Sequence, residues 1–141
     1  MKQRQDPFAM SEDQVVKKVC RWLPKHGYSI ISQCLGHKRG IDIVAVEKNS
    51  KRKFYIEAKG NRKNKPTEKL FTDDQISKHY AVQLAQICKA MEKYGRKAMF
   101  GIASPDVPRI KKSIELTRTP LKRLRVSLIW VSPKQVKIVD P

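Results

Sequence analysis

The sequence predicts a single α/β domain on three observations. Helical and strand periodicities alternate along the chain in the order α-β-β-β-α-β-α-β, with a short strand to close. Two consecutive strand-like runs, residues 41–47 and 54–59, are apolar on both faces, as strands covered on both sides are. No repeat, low-complexity segment or Pro- or Gly-rich linker divides the 141 residues, a length that suits one domain.

Residues 1–10 are polar and contain Pro7, so they are expected to form a flexible N-terminus, with Phe8 docking on a domain spanning 11–141. Ser11 and Gln14 form a capping box that opens the first helix. Val15, Val16, Val19, Cys20, Trp22 and Leu23 carry its period, and Pro24 with Gly27 ends it. At about 100° per residue, Glu12 falls near the centre of this apolar face. An acid in a first turn is also favoured by the helix dipole whatever its function.

Residues 28–34 read as the first strand, followed by a basic loop holding His37, Lys38 and Arg39. The second and third strands flank a charged turn at 48–53. Alternation puts Ile41, Ile43 and Ala45 on one face and Asp42, Val44 and Val46 on the other. In the next strand Phe54, Ile56 and Ala58 oppose Tyr55, Glu57 and Lys59. Residues 61–69 are expected to be a flexible basic loop.

Thr72 and Gln75 cap a long second helix whose stripe is Ile76, Tyr80, Leu84, Ile87, Met91 and Tyr94, ending at Gly95. Gln83 projects into the middle of that stripe, where a polar group needs a partner, and His79 lies at its margin. Residues 97–103 form a fourth strand. Ile110, Ile114 and Leu121 predict a third helix disturbed at Pro120. Its exposed side carries Lys111, Lys112, Arg118, Lys122, Arg123 and Arg125. Residues 125–132 and 135–139 close the chain as strands.

The charge narrows the function. Lys and Arg number 31 against 13 Asp and Glu, a net +18 that repels itself unless a polyanion neutralises it. Nucleic acid does this through phosphate contacts. No amphipathic helix has an apolar underside free to insert into a membrane, and no apolar run is long enough to span one. Cys20, Cys34 and Cys88 are odd in number and scattered in apolar segments. They read as buried free thiols in a reducing compartment, not a disulfide or zinc framework. The N-terminus lacks the apolar core of a signal peptide, so a cytoplasmic protein is expected.

Each of the two central strands carries an acid, and the second adds a lysine two residues on. A half-buried carboxylate is costly unless it is paired or binds a metal. Two carboxylates on adjacent strands suit a hard divalent cation. A surface hairpin with a cross-strand Glu–Lys pair is the plain alternative.

Asp42 after Gly40 and Ile41, followed by Glu57, Ala58 and Lys59 in the next strand, resembles the PD-(D/E)XK nuclease superfamily. Ile41 stands where the nominal motif has proline. The element order over about residues 12–100 is similar to the αβββαβ core of that restriction-endonuclease-like fold. The resemblance implies a central mixed sheet flanked by helices, here with an extra C-terminal helix and strands. It also implies that Asp42, Glu57 and the backbone carbonyl of Ala58 bind Mg²⁺ or Mn²⁺, with Glu12 joining directly or through water. Lys59 would position the attacking water and neutralise charge developing on the phosphate; two carboxylates beside it favour its charged form over a free base. Gln83 would support the site.

By their position, Lys38 and Arg39, and Arg62, Lys63 and Lys65 in the following loop, are candidates for contacting a DNA backbone. The implied activity is metal-dependent endonucleolytic hydrolysis of DNA, structure-selective or restriction-like, with RNA the less favoured partner. Cutting both strands would call for a homodimer. Two other classes stay open: a non-catalytic nucleic-acid-binding module of the same fold, and a subunit docked on an acidic protein or ribosomal RNA.

Overall fold

Six strands lie side by side in sequence order in a computed structural model that describes residues 6–36, 39–65 and 69–140. The elements are α1 (Glu12–Trp22), a 3₁₀ turn (Leu23–His26), β1 (Tyr28–Gln33), β2 (Ile43–Glu47), β3 (Lys53–Ala58) and α2 (Asp73–Tyr94). Then come β4 (Met99–Pro105), α3 (Pro108–Glu115), α4 (Arg118–Arg123), β5 (Val126–Val131) and β6 (Val136–Val139). β1, β2 and β3 pair antiparallel, β3, β4 and β5 pair parallel, and β6 returns antiparallel to β5. The protein is thus α/β with a mixed open sheet and helices on both faces.

Alternation along the strands divides the core in two. Val15, Val16 and Val19 of α1 pack with Leu23 on Ile43, Ala45, Phe54, Ile56 and Ala58. On the other face Ile76, Ile87 and Ala90 of α2 pack with Ile110, Ile114 and Leu121 on Tyr55, Phe100 and Ile102. Each fully buried aliphatic contributes about 1.5–3 kcal/mol over its exposed state. Ile41 departs from the expected alternation and packs with the α2 side, because residues 41 and 42 precede the first paired residue of β2. Both predicted capping boxes form, at Ser11 with Gln14 and at Thr72 with Gln75.

Four expectations are corrected. The third helix is two helices: a proline at 120 would clash with the carbonyl of residue 116, so α3 ends at Glu115 and Pro120 sits in the first turn of α4. Residues 6–10 do not fray. The Asp6 carboxylate is buried in a bidentate pair with Arg109 at 2.7–2.8 Å, and Met10 is buried in the α1-side core. The loop after β3 is pinned at its start, since Asn61 is fully buried and Arg62 bridges to Ser11 and Leu70. Cys88 is exposed, while Cys20 and Cys34 are half-buried; all three are free. Among the described residues no helix is long and apolar enough to cross a membrane.

Candidate active site

Four ionisable side chains meet where β3 ends. Register explains two of them. Ile43 pairs with Ile56, so Asp42, one residue before β2, arrives beside Glu57 and Ala58. Its Oδ2 accepts a hydrogen bond from the Ala58 N–H at 2.8 Å, and its own carbonyl accepts from Cys34 N–H at 2.8 Å, which fixes the approach to β2. Glu57 follows on the strand and is buried. Lys59 leaves the strand after donating its N–H to the Ala103 carbonyl. Its Nζ lies 3.3 Å from Glu12 Oε1, with roughly a quarter of each side chain open to solvent.

Glu12 reaches this point because the start of α1 is clamped to the end of β3. Asn61 receives the Met10 N–H on its Oδ1 at 2.6 Å and donates its own N–H to the Met10 carbonyl at 2.9 Å. Its Nδ2 donates to the Phe8 carbonyl and to Asp6. Gly60 lies flat against the Met10–Glu12 backbone, where a β-carbon would come within 2.4 Å of the Met10 carbonyl oxygen. Sequence reasoning missed this clamp; its visible trace is the Gly60–Asn61 pair directly after Lys59.

The other candidates distribute as follows. Gln83 is buried as expected and donates to the carbonyls of Glu57 and Ala103 at 2.9 and 3.1 Å. It thereby ties the ends of β3 and β4 together behind the carboxylates. Arg39 is exposed, as are Lys63 and Lys65, while Lys38 and His37 lie outside the described residues. The Arg62 guanidinium is occupied within the protein, by the carbonyls of Lys63 and Lys65 and by Gln14. It therefore braces the loop as well as standing among the candidate DNA contacts. His79, not invoked for chemistry on sequence, has one buried nitrogen, Nδ1, with no hydrogen-bond partner among the described residues. Its ring stands edge-on to Phe71, and burial, then the Lys59 charge, holds its pKa low.

The three acids oppose one another. Burial is the largest cause raising the pKa of each, and Asp42 raises those of Glu12 and Glu57 further. The Asp42 charge is eased by the neighbouring Glu57 carboxyl, the Ala58 N–H and Lys59. Glu57 is pushed up to about 9, so the pair carries a proton where an ordinary carboxylate is ionised. The folded state therefore binds a proton that the unfolded chain releases near pH 4.5, and stability falls as pH rises from there to about 9. Glu57→Gln, neutral at every pH, removes that dependence. In EDTA its melting temperature is expected to exceed the parent's near pH 9, the difference closing toward pH 4.5. A parent as stable near pH 9 as the variant would refute the shared proton.

A divalent cation would replace that proton. Among the described residues no group of three His, Cys, Asp or Glu side chains is arranged to enclose a metal. Glu12, the expected third acid, is turned to Lys59. The donors in place are two carboxylates and the Ala58 carbonyl. In an extended strand the carbonyl shares the side of its own N–H, here the side of Asp42. Few protein donors, all oxygen, fit Mg²⁺ or Mn²⁺ that keeps most of its waters.

No family model matches the chain, and neither curated proteins nor solved structures return a significant match.

Proposed function

We propose that the protein is a metal-dependent DNA endonuclease of the PD-(D/E)XK superfamily, with the restriction-endonuclease-like fold. The observation that carries the reading is the convergence of Glu12, Asp42, Glu57 and Lys59, from three elements, on one end of β3. The order α1-β1-β2-β3-α2-β4, with β4 parallel to β3, supports the fold, and the net charge of +18 supports a nucleic-acid partner. Free cysteines suit a reducing compartment, so we place the protein in the cytoplasm.

Asp42, Glu57 and the Ala58 carbonyl would hold Mg²⁺ or Mn²⁺, which when bound would supply positive charge to the scissile phosphate and acidify water. Lys59, partly open to solvent, offers its ammonium to the attacking water and to the negative charge that builds on the phosphate. Glu12 holds that ammonium in place. Gln83 keeps the Glu57 peptide from shifting under it.

One observation favours a second reading, a non-catalytic binding module. The Glu12–Lys59 ion pair and the proton shared by Asp42 and Glu57 satisfy the cluster without a metal. Metal binding separates the two readings. Mn²⁺ added to EDTA-treated and desalted protein is expected to raise the parent's melting temperature. A concentration of 100 times Kd corresponds to about 2.7 kcal/mol. Asp42→Asn is expected to show no such shift. Equal shifts in both proteins, or none in the parent, would favour the binding module.

A further inference from the structure

The opposite end of the sheet is built as deliberately as the carboxylate end. β3 runs away from it over six residues, roughly 20 Å. The register brings three turns together there. The β2–β3 hairpin supplies Lys48, Lys51, Arg52 and Lys53. The turn from α2 into β4 supplies Lys93, Arg96 and Lys97, and the turn from α4 into β5 supplies Lys122, Arg123 and Arg125. All are exposed. Against them stand only the acids Glu47, Glu92 and Asp140 at the same end, and none of these cations is held in an ion pair among the described residues.

Two features show that the arrangement is held. The only non-glycine residues with positive φ among those described are Lys51, at 62°, and Arg125, at 57°. Each costs about 1–2 kcal/mol over an ordinary backbone, and each presents a cation at a turn. Arg52 donates from Nε to the Lys97 carbonyl at 2.8 Å and from Nη2 to the Ala98 carbonyl at 3.4 Å. Two of the three turns are therefore tied together. Attraction to helix C-termini explains cations only within the last turns of α2 and α4, and does not reach the hairpin.

We propose that this end is a second nucleic-acid-binding surface, which holds a phosphodiester backbone away from the carboxylates, so that one protein engages two segments at once. Cations spread over several turns match a repeating line of phosphates. The exposed apolar side chains there, Leu124 and Tyr94, are too few for insertion into a membrane, and Tyr94 is stacked on Tyr55. The proposal rests on nucleic acid being the partner, not on cleavage.

The test uses the full chain in EDTA, so that cutting plays no part. Arg96→Gln/Lys97→Gln/Lys122→Gln/Arg123→Gln removes four exposed charges. Its control, Lys17→Gln/Lys112→Gln/Lys134→Gln/Lys137→Gln, removes as many exposed charges elsewhere. Lys48→Gln/Lys53→Gln samples the hairpin independently. Binding of a short labelled duplex is followed against KCl, and bridging by energy transfer between donor- and acceptor-labelled duplexes. The parent and the control are expected to bridge. The two variants are expected to lose bridging while still binding one duplex, with the salt slope of the four-site variant shallower by about two to four. Bridging undiminished in the variants, equally lost in the control, or absent from the parent would overturn the proposal.

Discussion

Lys59→Ala is expected to leave the protein folded and bound to DNA while cleavage falls at least about 10²–10³-fold, the usual loss when one stabilising donor is removed from a charge-developing site. The reason is local. The Lys59 ammonium sits in the carboxylate cluster and stays partly open to a substrate, held 3.3 Å from Glu12. Removing it leaves Glu12 facing solvent with about a quarter of its side chain exposed, so it hydrates instead of being stranded. A pair this open contributes about 1 kcal/mol or less, and the melting temperature should move little. DNA affinity should weaken by no more than one phosphate contact. Single-turnover cleavage and duplex binding, measured on the same preparation, separate the effects. A folded variant that cuts at the parent rate would remove Lys59 from the chemistry.

Gly60→Ala should have the largest effect on stability. The new β-carbon would lie 2.4 Å from the Met10 carbonyl oxygen, 2.5 Å from the Ser11 carbonyl carbon and 2.6 Å from the Glu12 nitrogen. All three are backbone atoms, so no rotamer relieves the clash and the start of α1 must move. Overpacking of this kind costs about 1–3 kcal/mol. Displacing Met10 also strains its two hydrogen bonds with buried Asn61, and a stranded buried partner costs about 1–3 kcal/mol more. Urea denaturation is expected to show a loss of about 2–6 kcal/mol. Below its melting temperature the variant should also cut more slowly, because Glu12 no longer meets Lys59. A variant as stable as the parent would mean that α1 is not clamped as described.

What the sequence could reveal depended on the range of each interaction. The pairing of Asp42 with Glu57 was legible because a short hairpin fixes which residues of its two strands come opposite, and Lys59 follows directly on the second strand. Gln83 was legible because the centre of a helical stripe is buried in any fold that uses the stripe. Capping boxes close within three residues and were read correctly at Ser11 and Thr72. The Gly60–Asn61 clamp joins positions about fifty residues apart, and Asp6 with Arg109 joins positions farther apart still. A polar side chain that becomes buried through such a contact looks, in sequence, like part of a solvated loop. Arg62 is partly the same case: its bond to Gln14, far along the chain, is not visible from its own basic loop. His79 sat at the edge of a stripe, where angular position alone does not say which nitrogen is buried.

The central claim is that the carboxylate cluster hydrolyses phosphodiesters in DNA. Its most direct measurement is cleavage of a labelled panel of supercoiled plasmid, linear duplex, single strand, flap and four-way junction. The panel is run in Mg²⁺ or Mn²⁺ and in EDTA, with Lys59→Ala alongside. The account predicts cutting of at least one substrate by the parent with metal, none in EDTA, and none at comparable enzyme and time by Lys59→Ala. Tight binding of the panel with no cutting in either metal would contradict it, and would make the cluster part of a binding surface.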